Sequence, residues 1–445
     1  MADIFLATQK LTKNRAKLVF GKNTNREPNE PQVMVRFPKK KNKEKFLTLT
    51  YLEIPQSKTT FEIMLSKSSH LWGAEMGVNE FGLTIGKTIA VCKSAKTYKG
   101  NGITGAELVR LALERCKTSE QALELITNYL EEFGQSSDSG CIKLENFHFS
   151  NFVIADSEKA YYIETFANQW VALKIQGYFS ISDGYIVEDK FDYSSKGLKE
   201  FAIKNNYVSS GNSFSFKKAF SDKLGNKLLQ TKIRRNSSNT VGEIYCQTEG
   251  LGVKEAMDIL RSHKNSSYAP HNGDMGSICL HASGILTPYQ TTNSLVVEIK
   301  ENSKITTWST LSSSPCLSLY KPFYFGTDIL SEDKQGDKNS IESFWWKFEE
   351  FHRLAIQDYE YAKHLVLKEK QESERHWRRK DKEFQNVKTS SKHFQEFSLY
   401  AVQHHKEILK IWIRDLKSRN KSNLFSPLYN MYWSARNKEA NLIQL

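Results

Sequence analysis

Through the first 330 residues, short runs with strand-like composition are separated by turn residues, with one helical pattern inserted among them. Residues 3–8 and 16–20 read as strands around a Lys-Asn turn region, a hairpin. Residues 48–54 and 60–66 read as a second strand pair. Residues 76–89 read as strand, turn, strand, with Asn79-Glu80-Phe81-Gly82 at the turn. The pattern then changes to helical spacing over 104–116, where Leu108, Leu111 and Leu113 lie on or near one face. Thr118 is an N-cap type with Gln121 three positions on, which starts a second helix running to about residue 132 and ended by Gly134. Strands resume at 151–155, 160–165, 170–175 and 177–181, helical stretches at 198–204, 216–224 and 252–262, and strands again at 294–299 and 306–309. Strands flanking helices with few parallel-type crossovers predict α+β layering.

Residues 327–340 are polar and turn-rich and mark the expected boundary between a 1–330 domain and a 331–445 helical extension packing on it. Two long helical patterns lie beyond, over 340–386 and 391–419, and Phe344, Phe348, Phe351 and Ala355 recur at a spacing that means packing against a neighbour.

Composition narrows the class. Across 445 residues, 39% hydrophobic and 12% aromatic content supports a sizeable core and excludes wholesale disorder. The net charge of +13 raises nucleic acid or an anionic membrane as partners. The surplus is local, however: +8 falls in residues 1–50 and +5 in 331–445, leaving the core neutral. With no nucleic-acid module, no nucleic-acid partner is expected. The Lys39-Lys40-Lys41 run reads as a solvated loop. No apolar run of membrane-spanning length and no signal-type N-terminus occurs, so a cytoplasmic protein without a transmembrane segment is expected.

Six cysteines (Cys92, Cys116, Cys141, Cys246, Cys279 and Cys316) without a CxxC pair read as packed thiols, and the histidines, His404-His405 included, as surface groups. No metal or other cofactor is expected. The segment Gly82-Leu83-Thr84-Ile85-Gly86-Lys87-Thr88 suggests the end of a phosphate loop. It lacks the first glycine and continues as a strand, so the hairpin reading wins.

The remaining signal begins at the start of the chain. Met1 precedes a small residue, Ala2, then a strand and Gly21-Lys22-Asn23-Thr24-Asn25-Arg26. Further runs are Leu71-Trp72-Gly73-Ala74-Glu75-Met76-Gly77-Val78-Asn79 and Thr104-Gly105-Ala106-Glu107-Leu108-Val109-Arg110. Ile278-Cys279-Leu280-His281-Ala282, Pro288-Tyr289-Gln290-Thr291-Thr292 and Ser314-Pro315-Cys316-Leu317-Ser318 complete the series. In this order, over residues 2 to about 370, the sequence resembles the secernin and C69 dipeptidase family of N-terminal-nucleophile hydrolases. The resemblance implies a four-layer αββα sandwich with antiparallel sheets. It also implies cysteine-type hydrolysis of a dipeptide or small amide, in which an N-terminal Cys acts as nucleophile and its α-amino group as base.

The sequence departs from that pattern where the chemistry is implied to sit. The nucleophile position holds Ala2, and the small residue there favours removal of Met1. The Lys-Asn-Ser-Asp run is Lys22-Asn23-Thr24-Asn25, an amide replacing a carboxylate. The two stretches implied to hold the oxyanion are Ile85-Gly86-Lys87 and Ile181-Ser182-Asp183, where Lys87 and Asp183 replace Asn. A carboxylate facing an oxyanion opposes its charge. Lys87 pairing with Asp183 would offset that, and Asn25 with Asp183 reads as an exchange of Asp and Asn between two site positions. The catalytic candidates are therefore Ala2, Lys22 and Asn25, with Lys87 and Asp183 as oxyanion or substrate-binding candidates. Activity is expected to be absent or very weak. A non-catalytic protein binding an amino acid or peptide in the same pocket is the alternative, with homo-oligomerisation left open.

Overall fold

The structure, a computed structural model, describes residues 1–93, 101–136, 148–211, 213–330, 343–386, 390–419 and 425–442. In chain order the sheet strands are β1 (Ala2–Thr8), β2 (Leu18–Arg26), β3 (Gln32–Phe37), β4 (Ile63–Ser68), β5 (Met76–Asn79), β6 (Thr84–Ala90) and β7 (Phe149–Ala155). They continue as β8 (Ala160–Phe166), β9 (Gln169–Ile175), β10 (Tyr178–Ser182), β11 (Tyr193–Ser194), β12 (Gln290–Ile299), β13 (Ile305–Ser309) and β14 (Lys321–Phe323). The helices used below are α1 (Gly105–Arg115), α2 (Ser119–Phe133), α3 (Thr231–Thr248), α4 (Val253–Leu260), α5 (Phe344–Ala355), α6 (Tyr359–Asn386), α7 (Ser391–Ser418) and α8 (Pro427–Glu439).

A six-stranded sheet runs in the order β10-β1-β2-β12-β13-β14, and an eight-stranded sheet in the order β11-β9-β8-β7-β6-β5-β4-β3. Every neighbouring pair is antiparallel. Side chains alternate across each strand, and their burial sorts them into three apolar layers. Ile4, Leu6, Leu18, Phe20 and Leu295 of the first sheet meet Met64, Val78, Val153 and Tyr162 of the second, filling the space between the sheets. The opposite face of the first sheet, with Phe5, Val19, Val296 and Trp308, is covered by α4, α5, α6 and α7. The opposite face of the second, with Leu65, Ile85, Ile154 and Ile163, is covered by α1 and α2. The molecule is a four-layer αββα sandwich with further helices at its C-terminal end.

Local chemistry fixes the element ends. Thr104 and Glu107 form a reciprocal capping box on α1, and Thr118 caps α2 by accepting from Gln121 N. At the β5–β6 turn, Asn79 Oδ1 accepts from Phe81 N and Leu83 N at 3.0 and 3.1 Å. Phosphate-loop geometry is absent there, since Thr84–Ala90 is a strand. No described helix is long and apolar enough to cross a membrane.

Several sequence expectations are corrected. Residues 48–54 and 60–66 are not paired: Phe46–Thr48 folds back on Glu53–Pro55, while β4 lies between β3 and β5. The expected helix over 340–386 is broken between Ala355 and Tyr359, although apolar spacing runs through the break. Asp358, a residue type suited to an N-cap, precedes the second helix there. Helices α3 and α8 were not anticipated. Residues 331–340 of the expected domain boundary lie outside the described residues, as does Cys141.

Candidate active site

Strands β1, β2 and β12 meet at the centre of the six-stranded sheet, with Ala2 opposite Thr24 and Asn25 opposite Thr291. Alternation sends Lys22 and Thr24 to the inter-sheet side, with Leu18 and Phe20, while Asn23 and Asn25 lie with Val19 on the helical side. The register of β12 shifts between Thr291 and Asn293. That bulge lets Thr291 donate to Asn25 Oδ1 at 2.7 Å while Asn293 reaches Ser66 Oγ on the other sheet at 2.8 Å. Thr292, between them, accepts from Trp345 Nε1 on α5 through its carbonyl at 2.9 Å.

All five residues named from the sequence are buried here: Ala2, Lys22, Asn25, Lys87 and Asp183. One polar network joins three of them, Ala2, Asn25 and Asp183, through Asp3 and Arg234, which the sequence reading missed. Arg234, wholly buried on α3, donates from Nε to Asp3 Oδ1 at 2.8 Å and from Nη2 to Asp183 Oδ2 at 2.6 Å. Its other terminal nitrogen donates to the carbonyls of Leu229 and Met275. Asn25 Nδ2 donates to Asp3 Oδ2 at 3.0 Å. Asp183 Oδ1 accepts from Ala2 N at 3.0 Å and Ile89 N at 3.1 Å. The expected relation of Asn25 to Asp183 is thus a relay, Asn25–Asp3–Arg234–Asp183. Burial raises the Asp183 carboxyl above its ordinary value, against the pull of the α-amino group and Arg234. Asp183 sits at φ 47°, a left-handed conformation to which Asn and Asp are suited.

A second cluster is centred on Glu75, which pairs with Arg26 on one side and with Lys87 Nζ at 3.5 Å on the other. Burial pushes the Glu75 carboxyl up, yet Arg26, Lys87 and Lys22 together hold it well below the usual range. The expected ion pair between Lys87 and Asp183 is therefore corrected: Lys87 is bound to Glu75 and Asp183 to Arg234. The reason is geometric, because Glu75 precedes β5, the strand adjoining β6.

Lys22 lies between these clusters. Its Nζ donates to Thr24 Oγ1 at 2.9 Å, and burial draws its pKa down to about 7, opposed by Glu75 and Asp183. Gly86 makes room for it, since a Cβ there would stand 2.9 Å from Lys22 Cδ and 3.0 Å from both Ile4 Cδ1 and Phe20 Cζ. The α-amino group of Met1 donates to Asn25 O at 3.0 Å, and burial lowers its pKa to about 6. The Met1 side chain packs among Ile89, Leu229, Met275, Leu280 and Tyr289.

The site therefore holds two amines able to exchange protons near neutrality, but a methyl group where a nucleophile would stand. Asp183 already accepts three donors, and a carboxylate so engaged is poorly placed to serve as a base. None of the five residues lines the ≈ 830 Å³ cleft, which runs instead beside α6 among Lys13, Glu298, Arg375, Arg378 and Asp381. The reading of the histidines as surface groups is also corrected: His281, His352 and His405 are wholly buried. They lie in packed layers that spacing along the chain does not reveal. Cys92, Cys116, Cys279 and Cys316 are buried, and Cys246 only partly so.

The family model of peptidase family C69 matches residues 27–372. Among solved structures, the C2A mutant of conjugated bile acid hydrolase from Clostridium perfringens is 11% identical, with a TM-score of 0.43, covering 77% of this chain and 96% of its own. Penicillin V acylase from Agrobacterium tumefaciens is 11% identical, with a TM-score of 0.42, covering 75% and 89%.

Proposed function

The chain belongs to peptidase family C69, and from that premise we propose that it is a cysteine-type dipeptidase or small-amide hydrolase relative whose hydrolytic step is silenced at residue 2. The observation that carries the reading is the environment of Ala2. Its backbone N–H is held by Asp183, its strand neighbour Thr24 and the amine-binding carbonyl of Asn25 adjoin it, and its side chain carries no nucleophilic atom. The remaining parts support a site built for small-amide chemistry, namely a buried lysine near neutrality and a buried guanidinium. Loss of the nucleophile from a catalytic unit costs on the order of a millionfold in rate. The secernin-like reading within the family rests on the motif order noted in the sequence.

Lys22 favours a second reading, retained binding of an amino acid or peptide. Among the described residues, the hydrogen bond found for its buried ammonium is the one to Thr24, which leaves donors for an incoming carboxylate. One experiment addresses both readings: a dipeptide panel with hydrolysis and thermal shift measured together. The native chain is expected to show no turnover, and Ala2→Cys to gain hydrolysis of the same dipeptides. Turnover by the native chain at the rate of the Cys variant would sink the silenced-enzyme reading. Thermal stabilisation of the native chain without turnover supports the binding reading, and a flat response across the panel rejects it.

A further inference from the structure

One residue beyond the site just described, four metal-ligating side chains converge from three distant parts of the chain. His263 follows α4, Cys279 and His281 flank Leu280 in the segment before β12, and Cys316 lies between β13 and β14. One donor atom from each lies within 4.8 Å of all the others. His281 Nε2 is 3.8 Å from Cys279 Sγ and 3.3 Å from Cys316 Sγ. Tetrahedral zinc, with bonds of about 2.3 Å to sulfur and about 2.0–2.1 Å to nitrogen, has donor–donor edges of roughly 3.3–3.8 Å. The two sulfur–nitrogen edges from His281 already have that length. Both cysteines are free thiols, and the buried Nε2 of His263 makes no hydrogen bond.

The surroundings are those of an oriented ligand set. His281 Nδ1 faces His352 Nε2 on α5 at 3.2 Å, and His352 Nδ1 faces Glu349 Oε2 at 3.6 Å. An Nδ1–H on His281 directed at His352 leaves the Nε2 lone pair pointing at the two sulfurs, the tautomer a metal requires. Tyr359 Oη donates to Cys316 Sγ at 3.4 Å, a contact that suits a thiolate. The His263 ring stacks on Tyr268 with centroids 4.0 Å apart, which fixes its plane.

We infer that Cys279, Cys316, His263 and His281 form a closed Cys2His2 site for a zinc-class divalent cation. Two thiolates balance the charge of the ion, so a neutral unit is buried. Four protein donors leave no open position for substrate, making the ion structural. Its mechanical reach includes the candidate active site. Leu280, between two ligands, donates from N to Thr291 Oγ1 at 3.0 Å, the hydroxyl that in turn donates to Asn25. Ile278 O accepts from Asn23 Nδ2 at 3.0 Å, and the Leu280 side chain packs against Met1. A bound ion thus fixes the segment that supports β2 from the helical side. The inference does not rest on the hydrolase reading, since metal content is independent of whether Ala2→Cys gains activity.

The test uses the full chain, stripped with a chelator under reducing conditions and returned to Zn2+ or Co2+ alone. Mass spectrometry of the metal is expected to find about one ion per chain. The Co2+ form is expected to show a thiolate-to-cobalt charge-transfer band and the intense ligand-field bands of a tetrahedral site. Cys279→Ser with Cys316→Ser should abolish both signals. His352→Ala should weaken Zn2+ competition roughly 10–100-fold while keeping a thiolate band, as for a residue that orients a ligand. If the double variant fails to fold, the Co2+ spectrum of the native chain decides alone. A native chain that takes up no Co2+, or that binds it without thiolate bands, would overturn the inference. So would an intact mass two hydrogens light that maps to a Cys279–Cys316 disulfide in the reduced preparation.

Discussion

At Lys22 burial outweighs the pull of Glu75 and Asp183, and its titration makes a measurable signature. Its pKa falls from 10.5 unfolded to about 7 folded, with burial as the largest cause. Between those values the unfolded chain holds a proton that the folded chain has released, so stability rises with pH across that window and is level below it. Lys22→Met deletes this contribution. Plotted as native minus variant, unfolding free energy from denaturant titration should climb with pH from about 7 towards 10, by on the order of 1.4 kcal/mol per unit. Parallel curves for the two proteins would refute the assignment. The Met1 amine, lowered from 8.0 to about 6, titrates alike in both and cancels. Among single residues, the sequence exposed Ala2, Lys22, Asn25, Lys87 and Asp183 because each sits in a run resembling the family pattern. Arg234 and Glu75 were not singled out, because their importance lies in partners 231 and 49 residues away along the chain.

At the scale of elements, backbone meets backbone closely where the segment before β5 reaches the first turn of α1. Ala74 N donates to Ala106 O at 2.9 Å, and a Cβ on Gly73 would fall 2.3 Å from Ala106 C and 2.4 Å from its carbonyl oxygen. Backbone cannot swing aside as a lysine tail can. Gly73→Ala should therefore lower stability by about 1–3 kcal/mol, read as a fall in the thermal midpoint, and displace Glu75 two residues on. An unchanged midpoint would count against this packing. Elements with a strong local signature were legible: the β5–β6 hairpin, the capped helices α1 and α2, and strands β7 to β10. Helix α3 was not, because its buried stripe is Arg234, Ser238 and Gly242, which has no apolar periodicity to read. The break between α5 and α6 escaped for the opposite reason, as Phe351, Ala355, Tyr359 and Ala362 keep helical spacing through it. Strand β2 continues past Phe20 through polar residues because its end belongs to the site, where chemistry outweighs pattern.

For the whole molecule, the question is what holds α5, α6 and α7 against the first sheet. Apolar contact is extensive, and each large side chain wholly buried contributes roughly 1.5–3 kcal/mol. Specificity comes from buried ion pairs that cross the seam. Arg261, just after α4, is gripped by both carboxylate oxygens of Glu374 on α6, and Glu374 also accepts from Tyr320 N at 2.8 Å. Glu374→Ala leaves that guanidinium buried without its anion, and should cost about 3–5 kcal/mol in chemical denaturation. A loss below about 1 kcal/mol would mean the seam is held by apolar packing alone. The layered α+β architecture was legible because strand alternation and helical spacing survive at domain scale. The convergence of Cys279, His281, Cys316 and His263 was not, since no local spacing encodes it. The central sheet also has a consequence for biosynthesis. Strand β2 pairs on one side with β12, and Asn25 waits for Thr291 across 266 residues of chain. At about 5–20 residues per second, a ribosome needs roughly 13–53 s to supply that partner. For that interval the polar edge carrying Lys22 and Asn25 stands open on the nascent chain, within reach of any chaperone or competing strand.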